Sequence, residues 1–351
     1  MTEELKKRKT LMSNFSLYIE MSKKIRSLQT APKVWNYIKY RCLKRKTVMS
    51  VRRYTPQIGA LLLTSRCNLN CGYCGAAKIL RETNGRLLEN DANLEKVQRI
   101  FTNPLFANCL LVELQGGEPL LVEDLDRIVA YLTRRGHITN IITNGLLLAD
   151  RIADLKNAGV SRIEVSLYNE NQTVMKRDLA KINRTFPVNT SIMLLRSMVE
   201  KMPDKLLETA RFVHDTGCRG LHFLMYRPIG LNPKPEEVIR NTDPAYLEFR
   251  RRAEDVLPGF CSWHSTVNSG TVKKLCPQLW QRIMCDMLGN IIICCGIGEV
   301  LKGPNSNLFK TEPDIVLNHP MFVNMRKQLM NTKCNPPDIC KICNLLGDSG
   351  W

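Results

Sequence analysis

No part of this 351-residue sequence approaches the ~18 uninterrupted apolar residues that a membrane-crossing helix requires, so no transmembrane segment is expected. The N-terminus runs Leu5-Lys-Lys-Arg-Lys9 with no apolar core behind it, which argues against a secretory signal and for a cytoplasmic location. Histidine is scarce, five in all, and none stands at metal-ligand spacing. Internal repeats and low-complexity tracts are missing, which excludes solenoids and arrays. Acidic residues are in short supply: 33 Asp and Glu face 51 Lys and Arg, a net charge of +18.

The excess is local. Residues 1–53 hold fifteen Lys/Arg and three Glu, so +12 falls on an N-terminal extension and the remainder is close to neutral. Leu11, Phe15, Tyr18 and Ile25 recur at helical spacing, as do Val34, Trp35, Ile38 and Cys42. Two readings stay open. One is a basic amphipathic arm for an anionic surface, nucleic acid or an acidic partner; the other is two helices packed on the core with a solvated basic face.

Cysteine is abundant. Fourteen thiols in a chain without a secretory signal point to metal binding or catalysis more than to disulfides.

From Ile58 the chain alternates short apolar runs with amphipathic ones. Strands are expected at Ile58–Thr64, Leu110–Leu114, Ile138–Ile142, Arg162–Leu167, Thr190–Leu195 and Gly220–Met225. Helices are expected at Ala92–Phe101, Val122–Arg134, Leu148–Asn157, Gln172–Ile182 and Asp204–Asp215. Gly136, Gly159 and Gly217 stand where helix C-termini favour positive φ. Six alternations predict an α/β fold with a parallel sheet, and a partial (β/α)6 barrel and an open doubly wound sheet share this pattern. Asn232–Glu237 reads as a linker, Pro244–Val256 as a helix, and Gln281–Met287 with Ile291–Cys294 as a hairpin turning at Gly289. The expected organisation is an extension at 1–54, a core at 55–235, a linker and helix at 236–272, and a small cysteine-rich domain at 273–351.

Cys67, Cys71 and Cys74 form C-x3-C-x2-C directly after the first strand. Closely spaced thiolates on one loop suit an iron–sulfur cube, and three of them leave one iron open to another ligand. Chance produces such a triplet in roughly 2% of chains this rich in cysteine. The end of the first strand of a βα series is also where active sites sit in these folds.

With an aromatic residue, Tyr73, before the third cysteine, this stretch resembles the signature of the radical S-adenosylmethionine (SAM) superfamily. The resemblance implies a partial TIM-type barrel, a [4Fe–4S] cluster on Cys67, Cys71 and Cys74, and SAM on the fourth iron. Reductive cleavage of SAM would then give a 5′-deoxyadenosyl radical that takes a substrate hydrogen atom, using an electron from a donor such as flavodoxin or ferredoxin. It further implies SAM contacts at Gly116, Gly117 and Glu118, at Thr143 and Asn144, at Ser166, and at Arg196 as a carboxylate partner. For Ser166 and Arg196 a structural role is an equal alternative. The two glycines are read as letting backbone approach the ligand.

A second group follows: Cys276, Gly289, Cys294, then Cys340 and Cys343. Four thiolates with a C-x2-C half also suit zinc. The C-x12-G-x4-C spacing resembles the SPASM and Twitch extensions of radical SAM enzymes, which implies an auxiliary [4Fe–4S] cluster. No cysteine follows Cys343, so the single-cluster Twitch-like arrangement is expected on Cys276, Cys294, Cys340 and Cys343, with Cys295 or Cys334 as substitutes. Cys42, Cys109 and Cys218 read as core residues; Cys261, Cys285, Cys295 and Cys334 lie nearer the presumed site, either as hydrogen-atom donors or as ordinary packing.

The resemblance leads to an oxidoreductase that tailors a sugar or aminocyclitol. The alternative is a maturase acting on a ribosomally made peptide, by crosslinking, epimerisation or decarboxylation. A non-catalytic iron–sulfur protein that binds nucleic acid is a third reading.

Overall fold

A computed structural model describes residues 31–46, 50–52, 55–71, 74, 91–228, 233–240, 242–263, 276, 278–294, 300–331, 337 and 340. In chain order these form α1 (Ala31–Lys46), β1 (Ile58–Leu62), α2 (Leu94–Ile100), α3 (Pro104–Ala107), β2 (Leu111–Gln115), α4 (Leu125–Arg134), β3 (Ile138–Thr143), α5 (Leu148–Asn157), β4 (Arg162–Leu167), α6 (Gln172–Thr185) and β5 (Asn189–Leu194). Then follow α7 (Arg196–Lys201), α8 (Pro203–Asp215), β6 (Gly220–Met225), α9 (Pro244–Val256), β7 (Cys261–Trp263), α10 (Gln278–Gln281), β8 (Arg282–Asp286), β9 (Ile291–Ile292), α11 (Pro313–Leu317) and α12 (Pro320–Met330).

The strands make one sheet in the order β7-β6-β5-β4-β3-β2-β1-β8-β9, parallel throughout except for β9. From β1 to β7 each crossover moves to the adjacent strand, which is the winding of a partial TIM-type barrel; β8 then returns to the other side of β1, and the sheet stays open. All six expected strands are present, and the β8–β9 hairpin turns where Gly289 takes φ 78°. Gly136, Gly159 and Gly217 have φ of 77°, 85° and 83°, so each expected helix stop is a left-handed turn.

One strand and one pairing exceed the expectation. β7 lies inside the stretch read as linker and helix, and β8 pairs in parallel register with β1, Ile58 opposite Arg282 and Leu62 opposite Asp286. The cysteine-rich hairpin therefore continues the core sheet.

Side-chain alternation separates two faces of the sheet. Leu61, Val112, Leu114, Ile141, Ile163, Val165, Ile192, Leu194, Leu221 and Phe223 pack into the main core on the helical side. Cys261 and Cys285 lie in that core too, 2% and 0% exposed, so packing is their role. The alternate positions form the inner face. Ala60, Leu62, Met284 and Ile292 cluster at one end, and Glu113, Asn140, Arg162, Glu164, Ser166, Ser191 and His222 follow toward β6.

α1 corrects the apolar stripe expected of it. Val34 does pack against Tyr37, Leu110 and Ile138, but Trp35 and Ile38 are 58% and 43% exposed. Lys33, Asn36 and Tyr37 are its buried residues among those whose side chains are described. The anchor is polar: Asn36 Nδ2 donates to the carbonyls of Thr55, Pro56 and Asn108, and Gln57 Nε2 donates to Asn36 O. The face meets unpaired backbone acceptors at the base of the sheet, where an amide serves better than an apolar side chain. Residues 1–30 and the Cys42 side chain lie outside the described residues.

Candidate active site

Cys67, Cys71 and Cys74 follow the C-terminal end of β1, where Cys67 is exposed and the other two are half-buried. Tyr73 lies outside the described residues. Asp91 holds the stem of this loop: Thr64 Oγ1 donates to its carboxylate, and the Arg66 guanidinium pairs with it. Thr64 Oγ1 also accepts from Arg66 N at 3.0 Å.

Cysteine chemistry at this loop depends on what neutralises it. Burial pushes the Cys71 thiol up to about 12, helped by the Glu170 carboxylate and by Cys74 and Cys67. Cys67 is raised by burial as well, against the pull of the Leu69 N–H, with Glu118 and Cys74 adding to the rise. Thiols raised as Cys67 and Cys71 are need a cationic centre to become thiolates, and iron provides one. Among the described residues no three His, Cys, Asp or Glu side chains are gathered around one point as a single metal ion requires. A cube meets each thiolate at a different iron, so the donor chemistry and spacing of the loop fit a cluster.

The second strand end locks onto this loop. Gly117 N donates to Thr64 O and Glu118 N to Arg66 O, both at 2.8 Å. A Cβ on Gly116 would stand 2.5 Å from Thr64 O, and one on Gly117 would stand 2.1 Å from Arg66 O. The glycines are thus needed where the β2 loop lies against the cysteine loop's own backbone, a reason separate from any approach to a ligand. Glu118, fully buried, reaches across to β3: Oε1 accepts from Thr143 Oγ1 at 2.6 Å and from Leu120 N at 2.9 Å, and Oε2 accepts from Asn144 N at 2.7 Å. Burial raises its carboxyl, and these three donors pull it back.

Asn144 returns to the cysteines. Its Nδ2 donates to Asn68 Oδ1 at 2.7 Å and stands 4.0 Å from Cys67 Sγ. Asn171, with no exposed surface, then joins β3 to β4: its Nδ2 donates to Asn144 O at 2.6 Å and Ser166 O at 2.7 Å, and its Oδ1 accepts from Tyr168 N at 2.8 Å. One continuous hydrogen-bonded rim thereby crosses the C-terminal ends of β1, β2, β3 and β4.

Tyr168, Asn171, Asp91, Glu164, Ser191 and His222 were not singled out in the sequence. Burial raises the Tyr168 phenol, the Ser166 hydroxyl pulls it back, and the charges of Cys71, Cys74 and Cys67 push it up again. Aromatic placement directly after β4 was the available signal; a lone Asn carried none. On the inner face Ser166, Ser191 and His222 occupy one cross-strand row, with Ser166 Oγ 3.4 Å from Ser191 Oγ. Glu164, one rung below, lies 3.7 Å from His222 Nδ1. Glu113 binds Arg282 through two contacts on the same face. Arg196 donates to Val238 O at 2.9 Å and to the Asp243 carboxylate at 2.8 Å.

Of the second group, Cys276, Cys294 and Cys340 are half-buried, and Cys294 and Cys340 pack against the main core. Cys294 follows β9 and lines a cavity with Gln278, Arg282, Arg52 and Arg326, so the hairpin brings it to the chain just after Cys276. Cys295, Cys334 and Cys343 lie outside the described residues.

Comparison with known proteins agrees with this geometry. The chain is 41% identical over 125 residues to GTP 3′,8-cyclase of Mycobacterium ulcerans, covering 35% of this chain and 33% of that protein. It is 31% identical over 185 residues to the Aquifex aeolicus enzyme of the same name, covering 48% and 56%. The chain thus matches about half the length of these curated relatives or less. The solved structure of Streptococcus suis SuiB bound to S-adenosylmethionine superposes with a TM-score of 0.63 at 17% identity, over 95% of this chain and 83% of that one. SuiB bound to its precursor peptide SuiA gives 0.61 at 15% identity, over 88% and 75%. The radical SAM family model, whose cofactors are a [4Fe–4S] cluster and SAM, matches residues 61–242. That span covers more than half of the chain and contains the whole rim; the protein belongs to the radical SAM superfamily.

Proposed function

We propose that the chain binds a [4Fe–4S] cluster at Cys67, Cys71 and Cys74, SAM against the rim over β1–β4, and an auxiliary [4Fe–4S] cluster at Cys276, Cys294, Cys340 and Cys343, and that it modifies a peptide. The hydrogen-bonded rim is the observation that carries the site: it ties the cysteine loop to the three strand ends beside it. When bound, the cluster and SAM supply reductive cleavage that ends in abstraction of a substrate hydrogen atom. The chain's own residues position. Gly116 and Gly117 allow the β2 loop to close on Thr64–Arg66, Glu118 fixes Thr143 and Asn144, and Asn144 and Ser166 present polar groups at the rim. Arg196, engaged by Val238 and Asp243, braces the start of α7 in this reading.

The inner face supports a substrate with hydrogen-bonding groups of its own, since Glu164, His222 and Ser191 line it. A peptide is favoured because the likeness to SuiB, solved with its precursor peptide, extends over most of this chain. A second reading is a purine nucleotide: the sequence relatives are GTP 3′,8-cyclases, and Arg162 stands on the inner face. The named relatives lend the sugar or aminocyclitol expectation no support, and the family match sets aside the non-catalytic one. A flavodoxin or ferredoxin as reductant, a cytoplasmic location and an anionic contact for the basic arm belong to the same proposal. No helix among the described residues is long and apolar enough to cross a membrane.

Anaerobic reconstitution tests the site. About eight irons per chain are expected, taking each cluster as a four-iron cube, and Cys67→Ala should lose about half of them together with all 5′-deoxyadenosine formation. Undiminished 5′-deoxyadenosine from Cys67→Ala refutes the assignment. Stimulation of that product by GTP, and not by peptides encoded in short reading frames beside the gene, would select the nucleotide reading.

A further inference from the structure

On the inner face of the sheet, four neighbouring strands present one polar row: Ser166 on β4, Ser191 on β5, His222 on β6 and Ser262 on β7. Three of these side chains stop at a hydroxyl, so the row is low everywhere but at the imidazole. The rung beneath it, farther from the rim, runs Ile142, Glu164, Asn189 and Gly220 across β3 to β6. Gly220 has no side chain, and Ile142 and Asn189 are neutral, so Glu164 carries the one charge among these four. It stands two residues before Ser166 on β4, about 7 Å along the strand. Ser166 in turn belongs to the rim, where its carbonyl accepts from Asn171 Nδ2.

His222 Nδ1 lies 3.7 Å from the Glu164 carboxylate, too far for a hydrogen bond. Among the described residues no Lys or Arg pairs with that carboxylate. Arg162, the next residue on the same face of β4, sits one rung farther from the rim. Glu164 and His222 both keep some open surface, 19% and 33% of their side chains. A carboxylate set back from water and matched by no fixed cation is stabilised by a cation that arrives with a ligand. The imidazole beside it offers a second polar contact to the same guest. A phosphate or carboxylate guest would meet like charge at this point.

We propose that Glu164 and His222 form a subsite for a basic side chain of the peptide, a lysine ammonium or an arginine guanidinium that reaches past the serine row from the rim. This inference rests on the peptide reading given above, and it names the class of residue held beneath Ser166.

The test uses the full chain, reconstituted anaerobically and isotope-labelled at its histidine rings for nuclear magnetic resonance. Five histidines give five signals, and His222→Gln identifies the one from residue 222. The probes are N-acetyl-arginine amide and N-acetyl-lysine amide, set against neutral N-acetyl-glutamine amide and acidic N-acetyl-glutamate amide. Both basic probes should move the His222 signal saturably and bind about tenfold more tightly than the other two, as one charge-assisted hydrogen bond supplies. Glu164→Gln should weaken the basic probes about tenfold and leave the neutral one unchanged. Equal binding of basic and neutral probes to the wild-type chain overturns the proposal, as does a basic preference that survives Glu164→Gln. Asn189→Lys sets a resident ammonium directly across from Glu164 and gives the answer should Glu164→Gln fail to fold. It too must weaken the basic probes, and an undiminished preference there overturns the proposal. Formation of 5′-deoxyadenosine stimulated by GTP would overturn the peptide reading and this inference with it. That result is read from the wild-type chain without any Glu164 variant, so the two failures are told apart.

Discussion

Replacing Gly117 by alanine sets a methyl carbon 2.1 Å from Arg66 O, 2.7 Å from Arg66 C and 3.1 Å from Ser65 C. All three are main-chain atoms, so no side chain can swing aside. Relief to an ordinary contact requires the β2 loop and the cysteine loop to part by roughly 1 Å or more. That movement breaks or stretches Gly117 N to Thr64 O and Glu118 N to Arg66 O. Each such bond contributes about 0.5–1.5 kcal/mol when made, and a buried group left unmade costs about 1–3 kcal/mol, so a loss of about 2–5 kcal/mol is expected. Against a total stability of about 5–15 kcal/mol the chain should still fold, with the rim open at its first joint. Urea unfolding, iron content and SAM binding report the three levels separately. The midpoint should fall, the first cluster should load poorly, and SAM affinity should drop at least about tenfold, since 1.4 kcal/mol suffices for that. Gly259→Ala is the control: its φ is 77° but no atom lies within 4 Å of the added carbon, so only the backbone cost of about 1 kcal/mol applies and SAM binding should be unchanged. Wild-type SAM affinity in Gly117→Ala would show that the close approach of these loops does not build the site.

Three further substitutions probe the same frame. Glu118→Gln turns one acceptor oxygen into a donor facing Thr143 Oγ1, Leu120 N or Asn144 N, and should cost about 1–3 kcal/mol in urea unfolding; a neutral result would contradict the geometry. Asn171→Ala removes three hydrogen bonds, one to Asn144 O after β3 and two within the segment that ends β4, so a loss of about 2–4 kcal/mol and weaker SAM binding are expected, against no change if the joint is idle. Glu113→Gln leaves Arg282 half-matched and should destabilise by about 3–5 kcal/mol, and Glu113→Gln with Arg282→Met should recover most of it; additive losses would argue against a direct pair.

The alternation of β1 to β6 with their helices was legible because each element carries its own period and three of the helices end on a glycine stop, and both are local properties. β7 was not: three residues, Cys-Ser-Trp, are too few to show a period. The pairing of β8 with β1 joins residues more than 200 positions apart, and nothing in either strand names the other. At the site, the cysteine spacing announced itself, whereas the reason for Gly116 and Gly117 did not, since a glycine does not say which backbone approaches it. Asn171 was invisible because one amide joins two loops without any motif. Arg52 and Arg326 were lost in a basic composition; only folding shows that, among the described residues, these two arginines are buried.

The β1–β8 pairing also sets a clock on synthesis. β1 is an apolar strand, Ile58-Gly-Ala-Leu-Leu62, and one of its edges is covered by β8 alone. Roughly 220 residues must leave the ribosome between them, which at about 5–20 residues per second takes on the order of 10–45 s. For that interval the nascent chain presents an unpaired strand edge, open to other nascent chains and to chaperones. A message cut short before codon 282 would leave that edge uncovered by β8, and its product should aggregate even though the first cysteine motif is intact.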